Sequence, residues 1–302
     1  MRVPIRPLHG RWPAWLERRF ARFFWSDPGV VLDKEATPEA FTKAMSAFLV
    51  GGTYKITGAA RHPNVDSLLI DHVDLADTTI LDVGASDGST SMDLIRRLTD
   101  FRSYTIADKY LVVGAERTRR HKLFYDQDNS CVLIVGPRSV AWPSLSMLVR
   151  VMYWPLVARA ARTQEQRENV LLVNPAVRAL MAADKRVSVA SHDVFKPWQG
   201  PRPDVIKVAN LLRRLYFDDQ TITLALDALL QSLADGGYLL IADNSRLKGV
   251  GPRAGLYRRV YGRFVLVAQT AAPPEIADLV VKSGPRQSCT DEAGRTVDDT
   301  PE

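Results

Sequence analysis

The stretch TTILDVGASDGST, residues 78–90, constrains the fold more than any other part of the chain. Thr78 to Val83 is β-branched and apolar, as a strand buried on both faces should be, and helical spacing begins at Ser86. The chain must therefore turn from strand to helix between Gly84 and Gly88. Such a turn sets backbone N–H groups and a helix N-terminus at the carboxyl edge of a sheet, where doubly wound folds bind ligands. Gly84 and Gly88 let the backbone approach a ligand with no Cβ in the way, and Ser86 or Asp87 can cap the helix. The strand itself carries an acid near its end, Asp82.

The same alternation recurs downstream. Strand signals at 78–84, 103–108, 186–192, 204–212 and 237–243 are interleaved with helical spacing at 87–99, 175–183 and 218–234. This predicts an α/β fold, a parallel sheet covered by helices on both faces. Residues 254–260 and 263–269 flank Tyr261-Gly262 and predict a terminal antiparallel hairpin. Helices are expected at 13–25, 38–49 and 64–72. Residues 109–174 far exceed the roughly two to six residues that join a strand to its helix in such folds, so they form an insertion. Within it, 124–136 predicts a hairpin turning at Asp128-Asn129, and 144–162 an amphipathic helix interrupted at Pro155. The expected organisation is a helical extension over 1–77, a core over 78–282 carrying the insertion, and a polar, disordered tail over 283–302.

With 46% hydrophobic and 25% charged residues, a chain of 302 residues buries a core without staples. Its two cysteines, Cys131 and Cys289, do not make a disulfide framework or a thiolate metal cluster. His9, His62, His72 and His121 show no metal-ligand spacing, so no metal is expected. MRVPIRPLHGRW lacks the apolar stretch of a secretory signal, and no run approaches the roughly 18 apolar residues of a transmembrane helix, so a cytoplasmic protein is expected.

The net charge of +6 admits an anionic membrane surface, nucleic acid or an acidic ligand as partner. Residues 1–26 set Arg2, Arg6, Arg11, Arg18, Arg19 and Arg22 among Trp12, Trp15, Phe20, Phe23, Phe24 and Trp25, against the single acid Glu17. The insertion sets Arg138, Arg150, Arg159 and Arg162 among Trp142, Met147, Met152, Tyr153 and Trp154. One expectation is a basic, aromatic lid, 139–162 with 1–26, that rests peripherally on a membrane; the other is packing on the core or a homo-oligomer interface. No RNA-binding module is evident, which argues against nucleic acid.

The glycine turn reads Asp82-x-Gly84-x-x-x-Gly88. Serine at position 86 breaks the GxGxxG of nicotinamide and flavin sites, and no lysine follows Gly88 as a P-loop requires. LDVGASDGST instead resembles the first motif of the class I S-adenosylmethionine-dependent methyltransferases. SYTIADKY, VSVASHDVF, PDVIKVANLL and LLQSLADGGYLLIADN resemble, in order, the family's later strand ends, so the likeness spans 78–270 outside the insertion. It implies a Rossmann-like seven-stranded sheet of order 3-2-1-4-5-7-6 with the last strand antiparallel.

The resemblance also implies that Asp108 holds the ribose hydroxyls, a task suited to a carboxylate because it accepts two neighbouring O–H bonds. By the same likeness Asp193 receives the adenine amino group and Asn210 lies beside the methionyl moiety. The implied S-adenosylmethionine site comprises Asp82, Gly84, Ala85, Ser86, Gly88, Asp108, Lys109, His192, Asp193, Val194 and Asn210. The implied activity is methyl transfer to a small-molecule or lipid-like acceptor, the first alternative being a non-catalytic binding or scaffold protein of the same fold and the second, less favoured, a methyltransferase acting on RNA or protein. Asp243, Tyr216 and His192, at or just beyond predicted strand ends, are the candidates for a base.

Overall fold

The computed structural model describes residues 3–55, 63–162, 167–244 and 251–284. Seven strands form the main sheet: β1 (Thr79–Val83), β2 (Ser103–Asp108), β3 (Val187–Ser191), β4 (Val205–Ala209), β5 (Tyr238–Asp243), β6 (Arg253–Val260) and β7 (Arg263–Gln269). Their order is β3-β2-β1-β4-β5-β6-β7. The first five are parallel, β6 runs antiparallel to β5, and β7 antiparallel to β6.

The expected order 5-7-6 with an antiparallel last strand is therefore corrected to 5-6-7 with β6 reversed. The reason is the length of the connection. Placing the sixth strand at the outer edge, parallel to β5, needs a crossover of roughly a dozen residues or more, whereas only 244–252 separate β5 from β6. A short connection returns the chain directly alongside β5.

Side chains alternate between two cores, as the pleat requires. Ile80, Tyr104, Ile106, Val205 and Leu240 face helices Pro63–His72 and Pro175–Ala183. Leu81, Val83, Ala107, Ile206, Val208 and Ile241 face helix Asp219–Ser232. Among these apolar positions of β4 stands Lys207, 1% exposed. Its Nζ lies 2.8 Å from Asp66 Oδ1 and 3.9 Å from Asp82 Oδ2. Asp82 in turn accepts hydrogen bonds from the hydroxyls of Tyr104 (2.7 Å) and Ser91 (2.8 Å). Burial first, and then Asp82, push the Tyr104 phenol far above its ordinary pKa, so it stays a donor.

The insertion builds a second sheet, antiparallel throughout, in the order Ile5–Pro7, Ser139–Ala141, Cys131–Val135, Lys122–Tyr125, Val112–Arg117, Glu168–Leu171. One face, with Phe124, Leu133 and Val140, packs on Phe41 and Phe48 of the N-terminal segment. Trp142 is fully buried there and donates its indole N–H to Ala47 O at 2.7 Å. The other face, with Leu123, Tyr125, Ile134 and Ala141, packs on helix Met147–Ala160.

The N-terminal segment is thus a strand as well as helices. The helix expected over 13–25 stops at Arg19, with a 3-10 turn at Ala21–Phe23, because Trp25 leaves it to exchange backbone hydrogen bonds with Pro7 and His9 at 2.9 Å. The helix expected over 38–49 ends at Met45, and Leu49–Val50 pairs with Thr53–Tyr54 in a small hairpin.

In the insertion, the expected hairpin forms between Lys122–Tyr125 and Cys131–Val135. The following helix, however, runs unbroken from Met147 to Ala160 through Pro155, which is exposed, so its ring meets solvent and one backbone bond is forgone. Residues 285–302, nearly all of the expected tail, lie outside the described residues. Among the described residues no helix is long and apolar enough to cross a membrane.

Candidate functional site

A pocket of about 390 Å³ opens at the carboxyl ends of β1 to β5. Val83 to Ser86 end and follow β1, Asp108 to Tyr110 end and follow β2, His192 to Val194 follow β3, Ala209 to Leu211 end and follow β4, and Asn244 follows β5. The strand order reverses between β1 and β4, the switch point at which open α/β sheets bind ligands.

The backbone that lines the pocket is held in unusual conformations. Gly84 has φ +75°, and a Cβ there would stand 2.7 Å from Leu211 Cδ2, so glycine is favoured at this position by backbone and space together. Ser86 and Asn210 also lie in the left-handed region, at φ +59° and +58°. Each such conformation costs about 1–3 kcal/mol and persists only where its surroundings hold it. Ser86 N–H donates to Asp108 Oδ2 at 2.9 Å, and Asn210 Oδ1 accepts Asn244 N–H at 2.7 Å. Both strained residues are thereby tied to neighbouring strand ends.

Four charged groups gather around β2 and β3. Asp108 Oδ1 accepts Lys55 Nζ at 2.7 Å and Tyr110 N–H at 2.9 Å. Lys109 Nζ lies 2.7 Å from Asp193 Oδ2. Burial opposes the Asp193 carboxylate, but the Lys109 bond and the Phe195 N–H overcome it and hold its pKa below the ordinary value. The same bond, working against burial, raises the pKa of Lys109.

His192, 8% exposed, presents its ring edge to Trp198 at 5.2 Å between centroids. Its Nε2 and the Ser86 hydroxyl are buried with no hydrogen-bond partner among the described residues. Burial, opposed in part by Asp193, lowers the His192 pKa below 6.5, leaving a neutral imidazole at neutral pH. As pH falls, the unfolded chain takes up this proton first. The residue's stabilising contribution is therefore complete above about pH 6.5 and lost as pH drops through the lowered folded value. Thermal melts from about pH 7.5 to about pH 5 should show a falling midpoint, and His192→Gln should shrink that fall. Equal falls in both proteins would mean that His192 titrates freely.

Of the expected cofactor residues, Gly84, Ala85, Ser86, Asp108, Lys109, His192, Asp193, Val194 and Asn210 line this pocket. Asp82 and Gly88 do not. Asp82 sits on the same side of the pleat as Ile80 and turns into the core toward Lys207, while Gly88 makes room for Val177, which a Cβ would approach to 3.1 Å. Of the candidate bases, His192 and the half-exposed Tyr216 line the pocket. Asp243 lies below it, 3% exposed, with Oδ2 accepting Glu275 N–H at 2.6 Å.

Among the lining residues that sequence reasoning missed are Lys55, Tyr110 and Arg213. Tyr110 and Arg213 follow strand ends and were findable by position. Lys55 arrives from the N-terminal hairpin, and no spacing ties it to Asp108.

Neither a family model nor a curated protein matches this chain. Among solved structures, the N-methyltransferase NodS from Bradyrhizobium japonicum WM9, bound to S-adenosyl-L-homocysteine, is 15% identical with a TM-score of 0.32, covering 67% of this chain and 72% of its own. An O-methyltransferase family protein from Burkholderia thailandensis is 16% identical with a TM-score of 0.35, over 72% of this chain and 44% of its own. The pyocyanin biosynthetic protein PhzM is 11% identical with a TM-score of 0.36, over 78% of this chain and 47% of its own.

Proposed function

We propose that the pocket holds S-adenosylmethionine and that the protein transfers its methyl group to a small-molecule or lipid-like acceptor. The observation that carries this reading is the convergence, at the switch point, of a glycine turn and two strand-end carboxylates. The residues fit the group. Asp108 keeps a free lone pair on Oδ2 for a ribose hydroxyl, and gains more if Lys55 withdraws. Asp193, at the end of the neighbouring strand, suits an exocyclic amine, with the His192 ring beside it in the pocket lining.

Bound there, S-adenosylmethionine would supply an electrophilic methyl carried on a positive sulfur. The protein's own part is mostly positional: it orients the partners and excludes water. Phe195 and Phe217, stacked edge-on with centroids 5.3 Å apart, give the pocket an apolar wall. An acceptor that arrives protonated needs a base, and the neutral imidazole of His192 is the group in place to receive that proton.

Isothermal titration with S-adenosylmethionine and S-adenosylhomocysteine, beside NADH, tests the reading. Dissociation constants on the order of micromolar for the first two and none for NADH are expected. Absence of binding to all three would leave a fold that serves as a scaffold.

A further inference from the structure

The outer face of helix Met147–Ala160 takes no part in the pocket. Its inner face is accounted for: Val149 and Ala160 are buried, and Tyr153, Leu156 and Val157 pack against the insertion sheet. The outer face is as apolar as the inner. Met147 is 74% exposed, Leu148 77%, Val151 61%, Met152 53% and Trp154 65%. A helix apolar on every side belongs in a core or against lipid, and this one has only half of its surface in a core.

Charge decides what covers the rest. No aspartate or glutamate occurs between Asp128 and Glu165, whereas Arg150, Arg159 and Arg162 stand exposed on or beside the helix. Among the described residues none of these three arginines forms an ion pair. A second copy of the chain, packed on this face by a two-fold axis, would set like charges against one another with no acid on the helix to pair them. An anionic lipid surface complements the face throughout: the arginines meet phosphates while the methionines, leucine and tryptophan enter the acyl boundary. The helix has 14 residues and is roughly 21 Å long, short of the roughly 30 Å hydrocarbon layer, so it lies in the surface and does not span it.

The N-terminal segment offers a second basic, aromatic surface. Strand Ile5–Pro7 pairs with Ser139–Ala141 and leads into Trp15, Phe20 and Phe23, exposed by 65%, 45% and 39%, beside the exposed Arg18, Arg19 and Arg22.

We propose that the insertion helix docks the protein on anionic membranes, with the N-terminal aromatic segment as a second contact. The proposal does not depend on the identity of the pocket's ligand. Co-sedimentation of the full chain with phosphatidylcholine vesicles containing about 30% phosphatidylserine tests it, beside vesicles of phosphatidylcholine alone. At low salt the expected result is at least about tenfold stronger binding to the anionic vesicles, lost at high salt. Leu148→Asp/Val151→Asp/Trp154→Asp, at exposed positions, should keep its melting midpoint and lose about tenfold or more of the binding. Arg150→Gln/Arg159→Gln should lose the preference for anionic lipid. Wild-type protein that stays in the supernatant, or a triple variant that binds as well as wild type, overturns the proposal. A wild-type dimer that the triple variant abolishes, with no vesicle binding, would assign the face to a second copy and overturn it equally.

Discussion

Lys207→Met is expected to cost about 3–5 kcal/mol of stability, the range for breaking a buried ion pair by removing one partner. Lys207 Nζ is the cation for two carboxylates, Asp66 at 2.8 Å and Asp82 at 3.9 Å, and all three side chains are 3% exposed or less. Burial opposes the ammonium, but Asp82 and Asp66 overcome it and raise its pKa above the ordinary value. Removing it leaves two buried carboxylates facing each other, and burial already raises the pKa of Asp66 despite Lys207. Urea unfolding should show the midpoint falling with an unchanged slope. Lys207→Met/Asp66→Asn should recover part of the loss, since it removes the worse of the two orphaned charges. A single variant as stable as wild type would mean that water reaches this network.

If the pocket holds S-adenosylmethionine as proposed, Asp108→Ala is expected to weaken its binding by more than about 100-fold, equivalent to roughly 2.7 kcal/mol. The carboxylate does more than offer lone pairs to a ligand. It holds Ser86 N–H in a left-handed turn, holds Tyr110 N–H, and neutralises Lys55, which is only 7% exposed. Alanine thus releases the glycine turn and strands a buried ammonium, so stability falls too. Lys55→Met/Asp108→Asn separates the effects: with neither charge buried it should melt near wild type yet still bind poorly. Wild-type affinity in the double variant would show that the Asp108 carboxylate serves the fold alone.

The main sheet was legible because strands buried on both faces read as apolar runs whatever surrounds them, and β2 and the helix Pro175–Ala183 match their expected bounds. The helix expected over 87–99 shrinks to Ser91–Ile95, since Ser89 N–H donates to Asp87 Oδ1 at 2.9 Å and this local bond competes with helical ones. The second sheet was largely illegible. Ser139–Ala141 and Val112–Arg117 find their partners at Ile5–Pro7 and Glu168–Leu171, and strands so short leave no local periodicity. Asp82 shows the limit of motif reasoning. Its place in the pattern suggests the cofactor, while the parity it shares with Ile80 assigns it to the core.

The shared core of the N-terminal segment and the insertion has a consequence for biosynthesis. Phe41, Phe48 and Val50 are made early, but Val113 to Leu172, against which they bury, follow over roughly the next 120 residues. At about 5–20 residues per second, those side chains wait some 6 to 25 seconds for their partners. A nascent chain in that interval presents aromatic surface with nothing to cover it. The ribosome-bound protein is therefore expected to be a client for chaperones that recognise short apolar segments, and to be released from them only when Leu172 has emerged.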